Sequence, residues 1–274
     1  MTEQQLLKAA IDYTETSPSN RVGQEKALRP EFSGMKILDA PIMGVASAND
    51  DYLLSLPDIP EARINQAAPT FFLESAKSVI SLYFPFAERI RESNRRGSEP
   101  SDEILHTRNE GIDFIDELCV YLKDLLEKAG YKTVVPDLDS RFWMTLKKPV
   151  NDYPFTSNWS HRHVAYACGL GTFGLHGGIV TRLGTAGCFG SLITELELPP
   201  TQRPYKELQE YCDRCGVCLE NCPADAITLE GGKDHLLCLR FAAQVAKKYA
   251  EKEYIGTCGK CQTAVPCESG IPGR

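Results

Sequence analysis

Apolar residues fall along the chain in two periods, and the switches between them mark the elements. Positions 112, 115, 118, 119, 122, 125 and 126 are all apolar. That spacing predicts a helix with one buried face, and Gly130 is its stop. The following stretch, 132–135, reads as a short strand ended by Pro136. Upstream, 78–84 (SVISLYF) is a continuous apolar run of strand length, also closed by a proline. Residues 35–46 mix short apolar runs with Pro41 and read as partly extended. The first fifteen residues form a charged amphipathic helix pattern, and 91–102 is polar enough to predict an exposed loop.

Further along, 163–168 predicts a short helix running into Gly169-Leu170-Gly171-Thr172-Phe173-Gly174. Two strand-like runs follow, 178–182 and 191–198, with Gly184, Gly187 and Gly190 supplying the turn between them. Pro199, Pro200 and Pro204 mark a boundary. The expected organisation is one α+β domain over 1–200 and a small second domain over 201–274, with no internal repeat.

Composition narrows the function classes. The chain has 274 residues, 42% of them hydrophobic, and a net charge of −7. An acidic balance disfavours a broad nucleic-acid surface, because phosphate binding needs clustered Lys and Arg. The first residues lack an apolar signal core, and no run approaches the ~18–20 apolar residues of a membrane span. A cytoplasmic protein without a membrane segment is the expectation.

Cysteine placement changes the picture most. Eight of the eleven cysteines lie between Cys212 and Cys267. Cys119, Cys168 and Cys188 lie elsewhere and read as small packing residues. The cluster opens with Cys212-x2-Cys215-x2-Cys218-x3-Cys222-Pro223, the bacterial ferredoxin spacing for 4Fe–4S clusters. In two-cluster proteins the fourth cysteine of such a run serves the other cluster. Cys238, the pair Cys258-x2-Cys261, and Cys267 complete eight thiols. We assign Cys212, Cys215, Cys218 and Cys267 to the first cluster, and Cys222, Cys238, Cys258 and Cys261 to the second. Spacing leaves open which cluster takes Cys238 and which takes Cys267. Structural zinc is the alternative, but it prefers two well-separated C-x2–4-C pairs.

The stretch 159–198 reads WSHRHVAYACGLGTFGLHGGIVTRLGTAGCFGSLITELEL. With APIMGVAS at 40–47, AKSVI at 76–80 and AGY at 129–131, it resembles the epoxyqueuosine reductase family and, more distantly, the reductive dehalogenases. The resemblance spans roughly residues 35–270. It implies a nitroreductase-like domain that binds cobalamin, followed by a ferredoxin-like two-cluster domain. It also implies Arg162 as the family arginine, with Tyr153 or His161 as proton donor. On the same ground Gly169, Gly171, Gly174 and His176 line the corrin. The residues alone favour a plain tight turn for those glycines, and packing or surface roles for the histidines.

Departures from the family matter. Its acid, seven positions before the arginine, is Phe155 here, and its glycine-turn lysine is Leu175. The Cys261–Cys267 gap is longer than in the reductases, and their helical-repeat extension does not follow before Arg274. Charge and length together set the expectation of a small-molecule substrate, with tRNA unlikely. Electrons would come from an external donor such as ferredoxin or flavodoxin. The expected activity is a cobalamin-dependent iron–sulfur reductase. A non-catalytic electron carrier or corrinoid-binding activator is the alternative, and flavin in place of the corrinoid a third.

Overall fold

The structure is a computed structural model that describes residues 1–58, 64–145 and 156–273. Its elements in chain order begin with α1 (Glu3–Thr16), β1 (Ile42–Ser47), α2 (Asp51–Ser55), α3 (Pro69–Phe72) and β2 (Ser78–Pro85). Then come α4 (Glu88–Arg95), α5 (Asp102–Arg108), α6 (Glu110–Lys128), β3 (Thr133–Val134), β4 (Met144–Thr145) and β5 (Thr156–Ser157). The third group is α7 (His161–Ala167), β6 (Gly171–Phe173), β7 (Ile179–Thr181) and β8 (Gly187–Thr194). Last come α8 (Val217–Glu220), β9 (Ile227–Thr228), β10 (Gly232–Lys233) and α9 (His235–Lys247).

The main sheet has the order β1-β2-β8-β3, with every pair antiparallel. All eight residues of β2 are buried, so both faces of the sheet must be covered. Strand alternation divides the labour. Ile80, Leu82 and Phe84 pack with Phe114, Ile115, Leu118 and Leu122 of α6. Val79 packs with Val164 and Ala167 of α7 on the other side, and Tyr83 with Ala165 and Tyr166. The sheet is therefore sandwiched between α6 and α7. Close approach of α6 needs Gly190 in β8, since a Cβ there would sit 2.7 Å from Ile115 and 3.0 Å from Cys119.

Local signals explain the helix ends. Thr2 and Gln5 form a reciprocal capping box at the start of α1. At the end of α6, Gly130 takes φ +92° and the Gly130 and Tyr131 amides turn back to the Glu127 and Leu126 carbonyls. Among the described residues, no helix is long and apolar enough to cross a membrane.

Two expectations need correction. Residues 91–102 are not simply an exposed loop: their first half completes α4, whose Ile90 and Asn94 are fully buried. The strands on either side of Gly184 do not pair with each other. β7 pairs with β6, while β8 runs on into the main sheet. Gly187 and Gly190 therefore lie inside a strand, and only Gly184 (φ +85°) makes the turn.

Candidate metal centres

After β8 the chain crosses the proline-rich segment without regular structure and enters the cysteine region. There the folded chain gathers the thiols into two sets. Cys212, Cys215, Cys218 and Cys267 line one small cavity, partly open to solvent, with Leu175, His176 and Val265. Burial pushes the Cys267 thiol up to about 12, with Cys212, Cys218 and Cys215 adding to the shift. Burial likewise pushes Cys258 up to about 12, and its thiol neighbours are Cys261, Cys238 and Cys222. Cys238 thus lies with the second set and Cys267 with the first, the point that spacing left open.

The donor chemistry fits 4Fe–4S clusters. Each set offers four soft thiolates around a space, and among the described residues no group converges tightly enough for a single metal ion. Buried thiols with raised pKa values lose their protons when iron binds, so assembly of the clusters releases protons.

Second-sphere groups differ between the sets. In the first, the Gly178 amide donates to His176 Nδ1 (3.0 Å), and Nε2 of the same ring lies 3.9 Å from Cys267 Sγ. Burial drives the His176 pKa down to about 3, so the ring is neutral. Asp213 accepts from the Cys215 amide at 3.2 Å. In the second, Lys233 Nζ donates to Cys261 Sγ at 4.0 Å, and the thiolates of Cys261 and Cys238 hold its pKa up against burial. Lys260 sits between Cys258 and Cys261, buried, and donates to the Asn94 carbonyl (2.7 Å) and the Arg96 carbonyl (3.0 Å).

The cysteine region is fastened to the sheet domain at α4. Asn94 Nδ2 donates to the Cys258 carbonyl (3.1 Å) and to Thr263 Oγ1 (3.0 Å), while its Oδ1 accepts from the Ser101 amide. Arg95 makes a two-nitrogen pair with the buried Glu268. The Thr185 amide donates to the Cys267 carbonyl at 2.9 Å, so one ligand hangs directly on the β7–β8 turn.

The residues that the resemblance assigned to a corrin have other occupations. A Cβ at Gly171 would overlap the Val180 carbonyl, and one at Gly174 would sit 2.5 Å from His176 Nε2. At Gly169 it would press on Thr201 and the Gln202 carbonyl. These three glycines let the chain pack closely on itself, and His176 faces Cys267. Arg162 Nη1 donates to the Gly177 carbonyl at 2.6 Å. Burial lowers its pKa and Cys238 opposes that, which puts the guanidinium beside the second set.

His161 is engaged at both nitrogens. Trp159 Nε1 donates to Ser191 Oγ (2.8 Å), Ser191 to His161 Nδ1 (3.1 Å), and His161 Nε2 to Asp137 Oδ2. Burial works to lower the His161 pKa, but the charge and hydrogen bond of Asp137 win and raise it. His163 is spent on Ser160 Oγ, and burial takes it down to about 3. Tyr153 and Phe155 lie outside the described residues. Sequence reasoning missed Asp137, Lys233 and Lys260. Only Lys260, inside the Cys258–Cys261 pair, carried a positional signal.

Residues 206–228 match the 4Fe-4S binding domain family. The epoxyqueuosine reductase of Bacillus anthracis is 26% identical over 283 aligned positions, covering 99% of this chain and 67% of that protein. The chain spans about two thirds of the length of such relatives. Two solved structures share the fold. An epoxyqueuosine reductase with a tRNA-Tyr epoxyqueuosine-modified stem loop gives a TM-score of 0.52 at 18% identity, over 99% of this chain and 67% of its own. A reductive dehalogenase whose structure suggests a mechanism for B12-dependent dehalogenation gives 0.55 at 14%, over 85% of this chain and 30% of its own. The first of these overturns the exclusion of tRNA and the expectation of a small-molecule substrate. Net charge sums a whole surface and says nothing about a local binding face. The chain thus carries a 4Fe-4S binding domain and is similar over its length to the epoxyqueuosine reductases, with the fold that these share with the reductive dehalogenases.

Proposed function

We propose that this protein is a two-cluster iron–sulfur reductase acting on an epoxide carried by tRNA. The observation that carries the reading is the gathering of eight thiols into two sets of four. One set lines its own cavity, and both are fastened to the sheet domain. Opening and deoxygenating an epoxide to an alkene consumes two electrons and two protons, and the oxygen leaves as water. Two clusters store those two electrons one at a time. An external one-electron donor such as ferredoxin or flavodoxin supplies them.

Likeness to the B12-dependent fold supports a corrinoid as acceptor in a nitroreductase-like domain. A bound corrinoid would supply a strongly nucleophilic, reducing centre. The chain's own part is to hold the clusters, fix Arg162 beside the second set, and hold His161 between Ser191 and Asp137. The family acid's place is taken by Phe155. That substitution favours a second reading, an electron carrier or corrinoid activator that does not itself turn over the epoxide.

Anaerobically purified protein tests both. Iron content and the visible spectrum report the clusters, and added cobalamin reports corrinoid uptake. Reduction of an epoxyqueuosine-modified stem loop by the reduced, corrinoid-loaded protein is the expected result. Corrinoid uptake without turnover would select the carrier. Absence of corrinoid uptake would overturn the corrinoid reading.

A further inference from the structure

The two thiol sets differ in the charge that surrounds them. Two cationic side chains bear on Cys222, Cys238, Cys258 and Cys261. Lys233 Nζ reaches Cys261 Sγ at 4.0 Å and the charge of Arg162 acts on Cys238, while Lys260 turns its ammonium to the Asn94 and Arg96 carbonyls. Among the described residues no Lys or Arg donates to a sulfur of Cys212, Cys215, Cys218 or Cys267; there Lys233 and Arg162 act on His176, one residue removed from Cys267. Asp213 sits beside Cys215, and the guanidinium of Arg214 turns away to Gln209 Oε1 (3.0 Å) and the Leu229 carbonyl.

The first set has a weaker device. Because the Gly178 amide donates to His176 Nδ1, that nitrogen is the acceptor and the ring proton sits on Nε2. Nε2–H therefore points at Cys267 Sγ. The glycines at 174 and 178 explain why this ring fits. A side chain at either would strike it, at 2.5 Å and 2.9 Å.

Reduction adds a negative charge to a cluster. Nearby positive charge, hydrogen bonds to sulfur and water all favour the reduced state and raise the potential. A neutral N–H donor and the exposure of Cys215 do this for the first cluster. Full charges held close to the sulfurs, in a setting with little water to screen them, do it more strongly for the second.

We propose that the cluster held by Cys222, Cys238, Cys258 and Cys261 has the higher potential of the two, and that Lys233 sets the gap. An electron from a one-electron donor would enter through the first cluster, at the exposed Cys215, and come to rest on the second. The donor loses one electron, the first cluster passes it on unchanged, and the second cluster is reduced by one. The proposal rests on the two-cluster reading above.

An anaerobic potentiometric titration of the full chain, followed by electron paramagnetic resonance, tests it. Wild type should show two reduced-cluster signals. Their midpoints should differ by at least tenfold in the reduced-to-oxidised ratio, which is ~59 mV for one electron. Lys233→Met should lower the higher midpoint by about that tenfold and leave the other in place. Lys233→Arg should keep the wild-type value. His176→Leu should lower only the lower midpoint, and by less. Coincident midpoints in wild type overturn the proposal without any variant. So does Lys233→Met shifting the lower signal, or neither. Iron content is read alongside. Half the iron expected of two clusters, with one signal, overturns the two-cluster reading itself.

Discussion

The sheet domain and the cysteine region are built on different principles. In the first, β2 is buried along its whole length and α6 lays Phe114, Ile115, Leu118, Leu122 and Leu126 against it. Burying each such side chain contributes about 1.5–3 kcal/mol, and the chain supplies every partner. In the second, α9 buries only Val245 of its thirteen residues, and Leu236 and Leu237 stay exposed. The small core there is Leu175, Cys218, Ile227 and Val265, with Val217, Leu219, Cys212, Cys222, Cys261 and Cys267 packed round it. Half of that cluster is thiol. One region is a fold that the chain makes alone. The other is a fold that iron and sulfide complete.

Removing the clusters should break this comparison open. Chelation under mildly oxidising conditions is expected to expose the region after residue 205 to protease while the sheet domain keeps its circular dichroism. The reason is that the binding free energy of a metal group in a small domain is also its folding free energy. If 206–273 resists proteolysis after all iron has gone, the cysteine region has a sufficient core of its own and the contrast fails.

A smaller effect is expected at the seam. Asn94 reads as an ordinary polar residue, yet its fully buried side chain reaches both the Cys258 carbonyl and Thr263 Oγ1. Asn94→Ala leaves those buried acceptors without their donor, at a cost of about 1–3 kcal/mol. Loss should fall on the cysteine region first, seen as faster iron release to a chelator at unchanged sheet-domain melting. Equal loss in both regions would mean that α4 is part of the sheet domain's own stability and not a fastening.

How much could be read from the chain follows the same division. The thiol sets were legible because C-x2-C-x2-C-x3-C-P constrains a loop locally, and α6 because its apolar period runs for four turns. The sheet order was not, because pairing of β2 with β8 joins residues more than a hundred positions apart, and sequence adjacency suggested a hairpin instead. α4 was hidden by its composition. ERIRESNR offers one apolar residue per two turns, and its second buried position is Asn94, which is satisfied by partners from elsewhere in the chain. Lys233 and Asp137 were invisible for the same reason. Their roles depend on Cys261 and His161, which only the fold brings to them. Gly171 and Gly174 carry no signal of their own in the sequence, because a glycine is equally required where the chain packs on itself and where it approaches a ligand.

The smallest effect belongs to the sheet domain, which carries an electrostatic liability of its own. Burial, with the charge of Asp137 adding to it, raises the Asp116 pKa to about 6. An acid whose pKa is higher in the folded state binds more protons there than in the unfolded chain. Between the ordinary aspartate value of about 3.9 and the folded value of about 6, stability therefore falls as pH rises, and the loss persists above. The neighbouring pair acts outside that window. Burial would raise Asp137, but His161 outweighs it and lowers the pKa, so its contribution is lost only at lower pH. His161 is raised, so its contribution is lost only as pH climbs through that raised value. Asp116→Asn is thus expected to stabilise the protein at pH 7 and to flatten the slope between pH ~4 and ~6. Urea unfolding of both proteins across that range, with the clusters intact, reads the difference directly. A constant difference across the window would mean that Asp116 ionises as it does in water, and that the chain-made core is free of the strain assigned to it here.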